Sequence, residues 1–254
     1  MWKVDSSQLA TLWKELGIST GMVVMCHSFL ASLGRVVPGP EVVLDTLLEQ
    51  LGRAGTFVVP TFSYSYFRNK VYDVENSPST VGVLGDLVRT RRSAIRSLDP
   101  NFSMAAIGEK AEFLMTRESH HSVGRGSIYD KLMKADVQIL LLGVDYSSLA
   151  LFMHLEKVHG VSYRYDKEFT GITRFSGRTF SDDAVHFVRD LELNPVSYRN
   201  RVGALIDQEP DCVRRPFAYG LHRFVPASTI ARVVAENLAK DPFCLIKEPL
   251  SYCR

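Results

Sequence analysis

Three stretches of this 254-residue chain carry side chains that can move protons, hold anions or bind polar ligands. The first runs over 27–40, beginning His27-Ser28 and continuing through Ser32, Leu33, Gly34, Arg35 and Val36 to Gly39-Pro40. Two hydroxyls and two glycines ahead of a helix start can offer backbone N–H groups and a positive dipole end to a phosphate. The loop has neither Gly-Lys-Ser/Thr nor G-x-G-x-x-G, so an ordinary strand-to-helix connection is the other reading. The second stretch follows Pro60, where Tyr64 and Tyr66 stand among hydroxyls. Such a segment builds a binding wall or packs on the core. Beyond it, Asp73 and Glu75 are candidate catalytic carboxylates or solvated loop acids. The third follows Leu142 and reaches His154 and Glu156. A histidine inside so apolar a run is either a core residue or a general base near neutral pH. Cys26 beside His27 is a poor nucleophile–base pair, because neighbours on a strand face opposite sides.

These residues need elements to position them. The continuous apolar runs 22–26, 56–59 and 137–142 predict buried strands. Helical spacing predicts a helix with Leu9, Leu12, Trp13 and Leu16 inward, capped by Ser6 or Ser7 and stopped at Gly17. A second helix carries Val43, Leu44, Leu47, Leu48 and Leu51, with Pro40 in its first turn. Further helices are expected at 83–92, 107–115, 149–155 and around Ile230–Leu238, and a last strand at 243–246 returning to the sheet. Alternating strands and helices imply a three-layer α/β/α fold with a mostly parallel or mixed central sheet. Ligands in such sheets bind beyond the strands' carboxyl ends, where the three stretches fall. The texture changes after Lys167. The whole chain is expected as one domain, 1–254, with an appended C-terminal excursion, 170–223, as an acceptor-binding subdomain or insertion.

Composition removes several classes of function. Thirty Lys+Arg against 28 Asp+Glu leave a net charge of +2, which gives no chain-wide attraction to nucleic acid or anionic membranes. No apolar run reaches the roughly 18–20 residues of a membrane span. The start lacks the pattern of a secretory signal. Four scattered cysteines, Cys26, Cys212, Cys244 and Cys253, show neither metal-ligand spacing nor a disulfide framework. A reduced, cytoplasmic protein with no metal is therefore expected.

Taken in order, the motifs resemble the aminoglycoside N3-acetyltransferase family, which uses acetyl-coenzyme A and is not of the GNAT fold. The resemblance runs along most of 5–170. It rests on His-Ser-x-x-x-Ser-Leu-Gly at 27–34, Gly-Thr-Phe-Val-Val-Pro-Thr at 55–61, and Asp73 ahead of Ser77-Pro78-Ser79. It continues through Arg96-Ser97-Leu98-Asp99-Pro100-Asn101-Phe102-Ser103, Ala106-Ile107-Gly108, Leu140-Leu141-Leu142-Gly143 and the His/Glu segment at 154–156. Antibiotic-modifying members commonly have His at the position of Asp99. The Leu-Asp-Pro form, with 161–165 and 187–190, looks more like relatives associated with sugar and polysaccharide biosynthesis.

The resemblance implies roles. His27, Ser28, Ser32, Leu33, Gly34, Arg35 and Val36 would hold coenzyme A, with Ser79, Arg96 and Ser97 in the same cleft. Tyr64, Tyr66, Asp73 and Glu75 would meet the acceptor. His154 would take the amine's proton, with Asp73 or Glu156 orienting it. The family's His commonly precedes Glu by three residues, on one helical face. Here His154 precedes Glu156 by two, and Met153 stands three back. Either a local irregularity restores His154, with Asp73 as its partner, or Met153 occupies the base position. The implied activity is transfer of acetyl from acetyl-CoA to an amino group of a biosynthetic amino sugar, free or nucleotide-linked. Aminoglycoside 3-N-acetylation and a catalytically impaired CoA- or sugar-binding protein are the alternatives. A small-molecule acceptor is the expected partner, and a homodimer is open to it.

Overall fold

The computed structural model describes residues 2–193 and 195–247. Seven strands form the central sheet, in the order Val213–Phe217, Gly220–Pro226, Gln138–Leu142, Val23–Ser28, Thr56–Pro60, Met104–Gly108, Ile95–Arg96. Val23–Ser28 lies at its centre and pairs in parallel with both neighbours. The outer pairings are antiparallel, so the sheet is mixed. Alternation along the central strand feeds two cores. Val23 and Met25 face one, and Val24 and Cys26 face the other, as the two-residue period requires. Helices Ser6–Leu16, Glu41–Leu51 and Val83–Arg89 cover the second face. Ile128–Lys134, Leu151–Val158, Asn200–Ile206 and Ala227–Lys240 cover the first. This is the expected α/β/α arrangement.

Local chemistry explains the element ends. The first helix is capped by Asp5, whose carboxylate accepts from the Gln8 N–H while the Gln8 side chain accepts from the Asp5 N–H. This reciprocal capping box displaces the expected Ser6 or Ser7. Trp13, fully buried, donates its indole N–H to Thr46 Oγ at 3.0 Å and so ties the first two helices. Pro40 precedes the second helix as its cap.

Three expectations need correction. Residues 104–108 form a strand, and the helix expected over 107–115 is only Ala111–Met115. The strand expected at 243–246 is reduced to Ile246–Lys247, which pairs with Val196–Ser197 and not with the central sheet. The segment placed at 170–223 is not one excursion. It begins inside a hairpin, Arg164–Phe175 with Arg178–Arg189, and ends in two central-sheet strands. Ser176 and Gly177, both at positive φ (49° and 73°), make the hairpin's turn, the conformation that two-residue turns favour. Val71–Asp73 adds to the hairpin in parallel.

Cys26, Cys212 and Cys244 are buried and free, while Cys253 lies outside the described residues. Among the described residues, no helix is long and apolar enough to cross a membrane.

One close approach shapes the end of the central strands. Gly143 has φ +70°, and a Cβ there would sit 1.8 Å from Ser32 Oγ. Positive φ and steric overlap both oppose any larger residue. Gly143→Ala is expected to lose roughly 2 kcal/mol or more of stability, read as a lower urea midpoint. An unchanged midpoint would show that the 27–34 loop does not pack on Gly143.

Candidate active site

Two depressions open beyond the strand ends. The first is a groove of about 1180 Å³ lined by Ser28, Phe29, Gly82, Gly143, Ser148, Gly220 and Arg223, among others. Ser28 and Ser148 bring hydroxyls and Asp145 a carboxylate, while Gly143 and Gly220 pack closely on Ser32. Beneath it Ser32 is buried, with an Oγ that has no hydrogen-bond partner. Arg223 is held by Asp207 at 2.9 Å. The second is a cleft of about 1080 Å³ between the hairpin, the loop after Pro60 and the helix Leu151–Val158. The two meet at one segment. Ser148 lines the groove, Met153 lines the cleft, and Arg199 of the cleft donates to the Leu149 carbonyl between them at 3.1 Å.

The cleft has aromatic walls and a cationic lining. Tyr64, Phe67, Phe102 and Phe169 supply rings, and Arg164, Lys167, Arg189 and Arg199 supply charge. Among the described residues lining it, none is Asp or Glu. Glu156 is fully buried behind Arg164 and Arg199 of this lining. Glu156 pairs with Arg164 at 2.9 Å and Arg199 at 3.6 Å, and accepts from the Tyr163 hydroxyl at 3.0 Å.

That cluster fixes the rotation of a regular helix. At about 100° per residue, Met153 lies on the Glu156 side, whereas His154 lies about 200° away. Met153 accordingly faces the cleft. His154 turns to the opposite side, where Nδ1 accepts from the Gly124 N–H at 3.1 Å and the ring stacks at 6.2 Å on Tyr129. His154 is therefore not placed to take a proton from a ligand in the cleft. The local irregularity that would have restored it is not present.

Asp73 cannot serve as its partner. It sits opposite Arg174, ten residues along one strand from the Arg164 that holds Glu156, or roughly 33 Å at about 3.3 Å per residue. Its carboxylate accepts from the backbone and side chain of Asn76. Glu75 accepts from the Ser176 N–H at the hairpin tip and is equally remote. Of the two tyrosines, Tyr64 lines the cleft, while Tyr66 is buried against Thr173 at 2.8 Å.

The residues expected around coenzyme A divide in the same way. Ser28 lines the groove and Ser32 lies under it. Ser79 neighbours it, with Oγ accepting from the Val81 N–H at 3.3 Å. His27 is buried on the sheet face that carries the helix Leu151–Val158. Leu33 belongs to the core, and Gly34 presses on the Trp2 carbonyl. Arg35 and Val36 pair with Lys3 and Val4. Arg96 bonds Thr61, Val74, Ser77 and Ser103 and staples three loops. Ser97 accepts from the Met104 N–H. Leu33, Gly34, Arg35, Val36, Arg96 and Ser97 are thus spent on structure. Asp99 accepts from the N–H groups of Asn101 and Phe102, and so aims the Phe102 ring at the cleft. Cys26 is enclosed, and burial pushes its thiol up, away from reactivity.

Sequence reasoning missed the cleft's Arg164, Lys167 and His186, and the groove's Gly220 and Arg223. For Lys167 and His186, which stand opposite each other on one face of the hairpin, the available signal was strand alternation.

Comparison with known proteins places these features in a family context. The family model for aminoglycoside 3-N-acetyltransferase matches residues 25–239. The aminoglycoside N(3)-acetyltransferase III of Pseudomonas aeruginosa is 28% identical over 169 residues, covering 59% of this chain and 62% of that protein. An SPbeta prophage-derived aminoglycoside N(3')-acetyltransferase-like protein of Bacillus subtilis is 29% identical over 162 residues, covering 55% and 60%. The chain thus spans about 60% of the length of the curated relatives it matches. The solved structure of AAC-IIIb with CoASH superposes with a TM-score of 0.81 at 20% identity, over 94% of this chain and 97% of that one. The structure of sisomicin-bound AAC-VIa gives 0.83 at 19%, over 93% and 98%. These two show a shared fold.

Two consequences are measurable. Removing Glu156 leaves two guanidinium groups buried beside each other. Glu156→Ala is expected to cost about 3–5 kcal/mol, seen as a melting temperature lower by roughly 10 °C. A loss below 1 kcal/mol would mean the cluster does not hold the helix. The buried histidines make stability depend on pH. Burial depresses His27 and His154 to about 4, and His186 to about 3, from 6.5. Below pH 6.5 the unfolded chain takes up protons that the folded one refuses. Stability therefore falls between pH 6.5 and about 4, by up to about 1.4 kcal/mol per pH unit for each histidine. Asp99, raised by burial, offsets part of this at the acid end. Urea midpoints at pH 7.5, 6 and 5 should decline, and less steeply in His154→Gln. Parallel slopes would contradict the assignment.

Proposed function

This chain belongs to the aminoglycoside 3-N-acetyltransferase family, and from that premise we propose that it transfers acetyl from acetyl-CoA to an amino group of an anionic amino sugar, a nucleotide-linked biosynthetic sugar being the acceptor class that fits. The observation that carries the acceptor class is the cleft, with Arg164, Lys167, Arg189 and Arg199 facing it and no acid on its described lining. A polycationic aminoglycoside would meet like charge there. A pyrophosphate-linked sugar would meet guanidinium groups suited to phosphate and aromatic walls suited to a base or sugar ring. Acetylating relatives carry aminoglycoside names, which keeps antibiotic acetylation as the second reading.

The groove fits coenzyme A by its chemistry. Gly82 leaves its backbone open, the Ser28 and Ser148 hydroxyls can bond amide and phosphate oxygens, and Arg223 adds a cation beside the Asp145 carboxylate. Bound there, acetyl-CoA supplies an activated thioester. The chain's own part is to orient the acceptor, desolvate its amine and neutralise its phosphates. Arg164 and Arg199 are pre-positioned by Glu156, while Lys167 and Arg189 are exposed on the hairpin. The latter pair can attract an anion from solution.

Thiol release from acetyl-CoA, followed with a UDP-linked amino sugar, a free amino sugar and gentamicin, tests the reading. The UDP-linked sugar should give the highest kcat/KM. Lys167→Glu with Arg189→Glu should raise its KM at least about tenfold, equivalent to about 1.4 kcal/mol, with little change in CoA affinity. Preference for gentamicin would favour the antibiotic reading. CoA binding without thiol release from any acceptor would favour a binding protein.

A further inference from the structure

The vacated base position raises the question of which group takes the proton from the acceptor amine. Met153 has no basic atom and faces the cleft, while His154 faces Gly124. Glu156 is engaged by two arginines and a tyrosine. His27 is enclosed and is not on the cleft lining.

One imidazole does line the cleft. His186, on the hairpin strand Arg178–Arg189, is 5% exposed and is held between two rings. Phe102 lies at 4.2 Å and Phe67 meets it edge-on at 5.0 Å. Its Nδ1 is enclosed without a hydrogen-bond partner, so Nε2 is the nitrogen left to the cleft. The strand places it opposite Lys167 and one residue before Phe187, whose carbonyl accepts from Arg164. It therefore lines the same cleft as Met153 and the cations proposed to hold the acceptor's phosphates.

We propose that His186 is the catalytic base of this chain, replacing from the hairpin the function that the helix position of Met153 cannot perform. The inference rests on acetyl transfer at the cationic cleft. The acceptor nitrogen forms the new C–N bond to the acetyl carbon as the thioester C–S bond breaks. His186 takes the proton from that nitrogen, and the departing thiolate is protonated from the imidazolium or from water. A ring clamped between Phe67 and Phe102 loses little freedom on binding, which suits a base that must meet its substrate within hydrogen-bond reach. Burial, and after it the charge of Arg164, keeps the imidazole uncharged until an anionic acceptor arrives. Proton uptake is then balanced by the phosphates that bind against the arginines. Base and acceptor class are thereby coupled in one cleft.

The test compares wild type, His186→Ala, His186→Gln and His154→Gln in the thiol-release assay with a UDP-linked amino sugar, with and without added imidazole. Both His186 variants should lose at least about 100-fold in kcat with CoA affinity near wild type, and His186→Gln should melt near wild type. Imidazole should restore part of the activity of His186→Ala, a rescue that a purely structural role would not show. His154→Gln should keep kcat within about threefold. If His186→Ala does not fold, His186→Gln, which keeps size and polarity, carries the test through kcat. Wild-type transfer that His186→Gln retains overturns the base assignment alone. Absence of transfer by the wild type with every acceptor overturns both the assignment and the acetyl-transfer reading.

Discussion

Glu156 has no contact with solvent and carries a carboxylate that Arg164, Arg199 and Tyr163 must satisfy. A buried charge left without partners costs several kcal/mol, so these side chains cannot separate. The three partners come from the start of the hairpin and from the residue ahead of the helix Asn200–Ile206. One ion cluster therefore joins the helix Leu151–Val158 to both elements that wall the cleft. It also sets which helical face looks into the cleft. Met153 is presented there because Glu156 points the same way, and His154 is buried against Gly124 for the same reason. In a helix that is buried over 151–156, rotating to restore His154 would require undoing the cluster.

The same constraint gives the cleft its sign. Arg164 and Arg199 are needed as partners of Glu156, and the hairpin adds Lys167 and Arg189 to the same lining. Aromatic rings share the cleft lining with these cations, while the neighbouring groove presents hydroxyls with Asp145 and Arg223. The near-neutral sum over the chain, 30 basic against 28 acidic residues, conceals this separation. Acids gather elsewhere, as in Asp207 beneath Arg223 and Asp182 against Arg117 at 2.6 Å.

Much of the scaffold was legible in the sequence because buried strands and amphipathic helices announce themselves by period. The runs 22–26, 56–59 and 137–142 became neighbouring or near-neighbouring strands of the central sheet, and the faces Leu9-Leu12-Trp13-Leu16 and Ile230-Val233-Val234-Leu238 are buried as expected. The Met104–Gly108 strand was hidden by its two alanines, which favour helix and blurred the boundary with 111–115. The site was legible in part. The spacing of Met153, His154 and Glu156 posed the right alternatives, but choosing between them needed Arg164 and Arg199, far along the chain from one another. Asp73 looked catalytic because linear order does not reveal that its short strand pairs with the far end of the twelve-residue hairpin strand. His186 gave no signal of its own, since a histidine in an alternating strand reads as surface until the partner strand shows which face is enclosed.

The central claim is that an anionic acceptor enters the hairpin cleft beside His186. A crystal structure of the chain with CoA and a UDP-linked amino sugar tests it most directly. The account predicts the pyrophosphate against Arg164, Lys167 or Arg189, with the sugar nitrogen within about 3.2 Å of the His186 ring and CoA along the glycine-lined groove. An amino sugar bound outside the cleft, or with its nitrogen turned to His154, would contradict it.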